Sequence, residues 1–250
     1  MAETSAVPGN GRAWELRIGT YNLYVKAHDL PKTIEVLKKM DADVIALQEV
    51  RSDNATALNS ALAAEYPYRY FSSAMGLLSR FPLRHPHFER SQRGINGFIF
   101  AEVEHPQGRI QIANLHLDPL RLWTVKDILM LPFQGRQNRS IQRDELAQAF
   151  GHLETGAPTL LVGDFNRVSD DVIHQLEEGG FTDSFAAVTK EADHVSTLHF
   201  SILGMHFGRR IDFIFRDRSF HTMNSDVVPG EPSDHDALVS RLSVERRAQP

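Results

Sequence analysis

Short apolar runs recur along this chain, and most of them end on a polar or charged side chain. Residues 16–23, 43–47, 110–117 and 158–162 each read as a buried strand, because a short apolar run between turn signals is the mark of one. The first closes on Tyr21-Asn22-Leu23, the second on Gln48-Glu49, the third delivers Asn114 and His116, and the fourth runs into Gly163-Asp164-Phe165-Asn166. Residues 209–215 repeat the pattern with an acid, Asp212, set inside it. Residues 68–71, 75–79, 98–104, 223–228 and 238–244 complete the strand signals, and Pro106-Gln107-Gly108 predicts a hairpin between two of the runs.

Helical signals alternate with these strands. Residues 31–40 place Ile34 and Leu37 on one side with Asp29 near the start. Residues 54–64 are alanine-rich, 141–153 are amphipathic, and 171–178 are closed by Gly179-Gly180. Residues 119–138 read as an irregular insertion containing Trp123, Leu129, Met130, Leu131 and Phe133, either a lid or substrate wall or a short helix on the domain edge. Arg84, Arg90 and Arg93 fall in a loop-like stretch, while Arg136, Arg139 and Arg143 recur at helical spacing. Residues 1–13 are small and polar and read as a disordered lead-in, followed by one catalytic domain over 14–250.

The polar strand ends carry the chemistry. A carboxylate buried without a partner is expensive, so Asp164 at the end of an apolar run asks for a cation, a proton or a phosphate. Ser233-Asp234-His235, entering the apolar Ala237-Leu238-Val239 from a Pro/Gly loop, makes the same demand. Each residue has an ordinary explanation by itself: Gly163-Asp164 as an Asx turn, His116 as a satisfied core histidine, Asp212 as an ion-pair partner of Arg209 or Arg210. Together, five strands ending this way are hard to explain without a shared site.

The ordered series Thr20-Tyr21-Asn22, Leu47-Gln48-Glu49, His116-Leu117-Asp118, Gly163-Asp164-Phe165-Asn166, Arg210-Ile211-Asp212 and Ser233-Asp234-His235 resembles the endonuclease/exonuclease/phosphatase superfamily. Met75 to Pro82 and the Arg139-Ser140-Ile141-Gln142 segment also resemble that family's pattern. The resemblance implies a two-sheet α/β sandwich and a metal-dependent phosphoesterase, with Mg2+ as the cofactor and Mn2+ as an alternative. It implies metal ligation by Asn22, Glu49 and Asp234. It implies Asp164 as the group that orients or deprotonates the attacking water, and Asn166 as a donor to a phosphate oxygen. His235 would contact the phosphate with Asp212 fixing its tautomer, and His116 would be a second donor. Geometry alone leaves Asp164 and His235 interchangeable as the base. Arg136, Arg139 and Trp123 are the expected substrate-binding residues. A histidine at position 116, where the family's apurinic-site endonucleases carry tyrosine, points to its deoxyribonuclease, sphingomyelinase, deadenylase and tyrosyl-DNA phosphodiesterase branches.

Composition narrows the partner. A net charge of −5, from 27 basic and 32 acidic side chains, lacks the strongly basic footprint of a protein that grips duplex DNA nonspecifically. A nucleic-acid or nucleotide-like phosphodiester is the expected substrate. Alternatives are a sphingomyelinase-like or phosphoinositide-like lipid headgroup, reached by peripheral membrane contact, and a non-catalytic phosphate-binding module. The absence of cysteine rules out disulfides and thiolate chemistry. No run of about 18 apolar residues offers a transmembrane helix, and with no secretion signal in view the expected location is cytoplasmic.

Overall fold

The computed structural model describes residues 13–120, 131–166, 170–202 and 204–244. In chain order the elements are β1 (Trp14–Asn22), α1 (Leu30–Met40), β2 (Val44–Gln48), α2 (Ser52–Ala61), β3 (Tyr68–Ser72), β4 (Met75–Ser79), β5 (Leu83–Arg90), β6 (Gly97–His105) and β7 (Gly108–His116). There follow α3 (Leu131–Gly151), β8 (Thr159–Asp164), α4 (Asp170–Glu178), β9 (Thr182–Asp183), β10 (Leu198–Ile202), β11 (Met205–Arg209), β12 (Asp212–Arg216), β13 (Phe220–Val228) and β14 (Ala237–Val244).

Among the described residues, fourteen strands divide into two six-stranded mixed sheets, ordered β13-β14-β1-β2-β4-β3 and β5-β6-β7-β8-β12-β9, with β10-β11 as a separate hairpin. Each large sheet has one parallel pair at its centre, β1/β2 and β7/β8, and antiparallel partners outward from it. The two sheets pack face to face on Leu16, Ile18, Val44, Leu77, Ile99, Ile112, Leu160, Val162 and Ile214. Helices cover the outer faces. Leu37, Met40 and Leu58 seal α1 and α2 onto the first sheet, and Leu146 and Leu176 seal α3 and α4 onto Phe98, Leu115, Phe165 and Phe213 of the second. This is the two-sheet α/β sandwich that the motif series implies.

Period-two alternation explains how the sandwich makes a site. Along β1 the residues turned into the sandwich run Leu16, Ile18, Thr20, Asn22; along β7 they run Ile110, Ile112, Asn114, His116; along β8, Leu160, Val162, Asp164. Each strand therefore carries aliphatic side chains for most of its length and polar ones at its C-terminal end. Register brings these ends level: Asn22 pairs with Gln48, His116 with Asp164, and Asp164 with Asp212 of the antiparallel β12.

Two expectations need correction. Residues 131–138 take the helical of the two readings, but as the first turns of the 21-residue α3 rather than as a short helix of their own. Pro132 lies in the opening turn, where its missing N–H would have had no intrahelical partner. Arg84 and Arg90 are not in a loop but on β5, an edge strand whose bulge between Arg84 and His87 and whose Pro86 hide the strand pattern. Residues 1–12 of the lead-in, and Trp123, Leu129 and Met130 of the insertion, lie outside the described residues.

Candidate active site

Asp164 is the centre of the polar cluster and is 1 % exposed. Its Oδ1 accepts the Asn166 N–H at 2.7 Å, and its Oδ2 accepts from the Asn22 amide at 2.9 Å. The same oxygen lies 3.7 Å from His116 Nε2 and 4.0 Å from His235 Nε2. Gly163 makes this placement possible. It adopts φ +143°, and a Cβ there would stand 1.9 Å from the Leu115 carbonyl oxygen of the neighbouring strand.

The Asn22 amide also donates to Glu49 Oε1 at 3.2 Å, so one side chain spans two carboxylates from opposite sheets. Glu49 itself sits at φ +54° and takes the Val25 N–H on Oε2 at 2.8 Å. Tyr24 N–H holds Asn22 Oδ1 at 3.0 Å. Asn166, at φ +55°, donates its amide to the Leu117 carbonyl at 2.7 Å, which ties the loops after β7 and β8 together.

On the far side, His235 is 5 % exposed and its Nδ1 hydrogen-bonds Asp212 Oδ2 at 2.9 Å. Nε2 is thereby left toward Asp164 and, at 3.9 Å, Asp234 Oδ1. Asp212 is held by its own N–H on Thr197 Oγ1 at 3.1 Å, and Thr197 O accepts the Asp236 N–H at 2.7 Å. Arg210 turns away from Asp212. It pairs with Asp183 at 2.6 Å and lies over the Phe213 ring, so Arg210 is not the ion-pair partner of Asp212.

The electrostatics follow from this crowding. Burial pushes the Asp164 carboxyl upward, with Asp212 adding to it and His235, His116 and the Asn166 N–H working against it. Burial also raises Asp234, helped by Glu49. Burial opposes charge on His235, but Asp212, Asp164 and Asp234 overcome it and hold the imidazole up to about 10. The donor set fits a divalent cation: Asp164, Asp212 and His235 offer donor atoms within 4.8 Å of one another, Glu49 and Asp234 lie beside them, and the buried Oδ1 atoms of Asp212 and Asp234 have no hydrogen-bond partner. Such oxygen-rich surroundings suit Mg2+ or Mn2+. Glu49 and Asp234 are the residues that would hold it, with Asn22 beside them.

The sequence-predicted residues divide into two groups. Asn22, Glu49, His116, Asp164, Asn166, Asp212, Asp234 and His235 meet around Asp164. Arg136 and Arg139 instead line an open groove of about 490 Å³ between α3 and α4, with Arg139 Nε 3.7 Å from Asp171. Trp123 lies outside the described residues. Among the supports, sequence reading singled out Ser233 and Gln142 within their motifs and missed Thr197 and Asn138. Thr197 and Ser233 brace the segments that carry Asp212 and His235, Ser233 Oγ donating to Asn22 O at 2.7 Å and accepting the His235 N–H at 3.0 Å. Gln142 and Asn138 brace Asp118 from α3. Thr197 and Asn138 carry no local signal, since each acts on a partner far away in the chain.

The sequence model of the Endonuclease/Exonuclease/phosphatase family matches residues 19–235. No curated protein sequence matches the chain. Among solved structures the chain is similar to D. rerio TDP2 complexed with single strand DNA product, at 16 % identity and TM-score 0.72, over 91 % of this chain and 98 % of that one. An endonuclease/exonuclease/phosphatase from Beutenbergia cavernae shares 18 % identity at TM-score 0.72 over 94 % and 72 % of the two chains. Sphingomyelinase C from Streptomyces griseocarneus shares 14 % at TM-score 0.63 over 93 % and 100 %.

Proposed function

Because the chain belongs to the endonuclease/exonuclease/phosphatase family, whose members are generally hydrolases of phosphoester bonds, we propose that it is a Mg2+-dependent phosphodiesterase acting on a nucleic-acid or nucleotide-like substrate by in-line attack of water. The observation that carries this reading is the Asp164 cluster. One buried carboxylate is fixed by Asn22 and Asn166 and faced by His116 and by the His235–Asp212 pair.

A divalent ion held by Glu49 and Asp234 would offset the charge on the phosphoryl oxygens. Asp164 then takes the proton of the attacking water. Both of its oxygens are already aligned by N–H donors, and its raised proton affinity suits a base working near neutral pH. His235, kept charged by its carboxylate neighbours, presents Nε2–H to a phosphate oxygen while Asp212 holds Nδ1. His116 supplies a second donor where charge develops. One N–H of the Asn166 amide is engaged by Leu117, and the other is left for the phosphate.

A similar fold with single strand DNA product bound favours a nucleic-acid strand as substrate, while the likeness to sphingomyelinase C keeps a lipid headgroup as the second reading. Hydrolysis of bis(p-nitrophenyl) phosphate, of end-labelled single-stranded DNA and of sphingomyelin vesicles should be compared with Mg2+ and with chelator. Activity on the first two, abolished by chelator and lowered about 100-fold or more in kcat by Asp164→Asn, is expected. An Asp164→Asn protein with full turnover would remove the assigned base, and turnover of sphingomyelin alone would make the lipid reading the correct one.

A further inference from the structure

On the opposite side of the second sheet from the sandwich interior, β5 and the end of α3 bring two histidines and a glutamate together. His87 and Glu89 are two residues apart on β5, so their side chains share one face. Their register partners on β6 are Phe100 and Phe98, both packed in the core under α3. Position for position, the edge strand continues the face that α3 covers, but it carries metal-ligating groups where β6 carries phenylalanines.

His152 closes the group from above. It follows the last residue of α3, its N–H on the Ala149 carbonyl at 3.1 Å, and its ring stacks on Phe100 at 5.0 Å and 20°. The helix end is anchored to the same strand one turn earlier. Gln148 donates to the Arg90 carbonyl at 2.9 Å and accepts the Gln92 N–H at 3.0 Å. Both histidine rings rest against Phe100, His87 with its centroid 5.4 Å away, and they face each other at 6.2 Å.

We infer that His87, Glu89 and His152 form a second divalent-metal site, of the two-imidazole, one-carboxylate kind that suits Zn2+, and that it clasps the edge strand to the C-terminal end of α3. One donor atom from each residue lies within 4.8 Å of the other two. A tetrahedral ion with bonds of about 2 Å spaces its donors roughly 3.3 Å apart, a closure that rotation of partly exposed side chains supplies. His87 is already oriented for it. Its Nδ1 hydrogen-bonds the His85 carbonyl at 2.9 Å, which directs the proton to Nδ1 and leaves Nε2 with a lone pair for a metal. His85 itself is bent to φ +49° at the bulge that turns this part of β5. Two imidazoles and a carboxylate differ from the oxygen donors of Glu49, Asp234 and Asn22 assigned to Mg2+: imidazole nitrogens favour Zn2+, and oxygens favour Mg2+. The two sites should therefore sort the two metals.

The test uses untagged full-length protein, dialysed free of metal and then held in excess Mg2+. Zn2+ binding is followed by calorimetry, and Co2+ is used as a spectroscopic stand-in. The expected result is one Zn2+ equivalent that persists in Glu49→Gln and weakens more than about 10-fold in His87→Ala and in His152→Ala, with Mg2+-dependent turnover unchanged in the two histidine variants. Zn2+ should also raise the melting temperature of the wild type and of Glu49→Gln but of neither histidine variant. In the wild type, Co2+ should give the intense visible bands of a four-coordinate site, lost in His152→Ala. The inference is overturned if no equivalent binds, or if the bound equivalent survives both histidine substitutions.

Discussion

Glu145 is a carboxyl group buried on α3 against the loop after β7, 1 % exposed. Its Oε2 accepts the Asp118 N–H at 2.8 Å. Burial lifts its proton affinity to about 7, against the pull of that N–H. The folded state thus prefers the protonated acid, and the sign of the consequence is fixed. Stability from Glu145 is complete below the unfolded carboxyl value and is lost as pH rises from about 4.5 through about 7. The loss amounts to as much as about 3 kcal/mol. Glu145→Gln keeps an acceptor for Asp118 without a charge to bury. Urea titrations at pH 5 and pH 8 should show the substitution nearly neutral at the first and stabilising at the second. A variant that is equally destabilised at both would mean that the carboxylate is satisfied in place.

The long helix α3 shows what an element does here beyond filling space. Gln142 Nε2 donates both to the Asp118 carbonyl at 3.0 Å and to the Phe165 carbonyl at 3.1 Å. Asn138, one turn earlier, donates to the same Asp118 carbonyl at 2.7 Å. The helix thereby clamps the two loops that leave β7 and β8, the strands bearing His116 and Asp164. Gln142→Leu takes this donor from the buried Phe165 carbonyl, at about 1–3 kcal/mol. It should lower kcat as well as the urea midpoint, because the loops it frees follow directly on His116 and Asp164 of the proposed site. A variant less stable but unimpaired in turnover would show that the loops hold themselves. The Gln142 motif was legible in the chain because it resembles a family pattern. The start of α3 was not, since Pro132, Gly135 and a run of polar residues give residues 131–138 little helical periodicity. The strand β5 was equally hidden, since edge strands are polar and tolerate proline and bulges.

The two sheets meet through more than aliphatic packing. Near the site, Asn114 reaches across from β7 and donates to the Leu47 and Gly76 carbonyls of the first sheet at 3.0 and 2.9 Å, while its Oδ1 accepts from Gln48 at 2.7 Å. Gln48 in turn bonds Thr20 Oγ1 at 3.1 Å. A fully satisfied buried network of this kind fixes one relative placement of two surfaces that hydrophobic contact alone would let slide. Asn114→Leu should therefore cost about 3 kcal/mol or more in chemical denaturation, since several buried groups lose their partner together. The same variant should lose phosphodiesterase turnover even where it remains folded. A loss under about 1 kcal/mol would mean that aliphatic packing alone sets the register of the sheets.

By itself the sequence determined where the strands that carry the site run, though not the edge strand β5, and that their ends are polar. Apolar runs of period two need only local chemistry to be read, and Asn22, Glu49, His116, Asp164 and His235 sit at ends that burial would penalise without a shared purpose. Only the tertiary structure decided which of these ends face one another. Convergence depends on strand register, on the absence of a Cβ at Gly163 beside the Leu115 carbonyl, and on Thr197 and Gln142 reaching partners distant in sequence. The same holds for His87, Glu89 and His152, which are separated by sixty-odd positions of chain and share a face only because α3 lies across β5. Side-chain periodicity is a property of neighbours along the backbone; a site is a property of neighbours in space, and packing alone creates those.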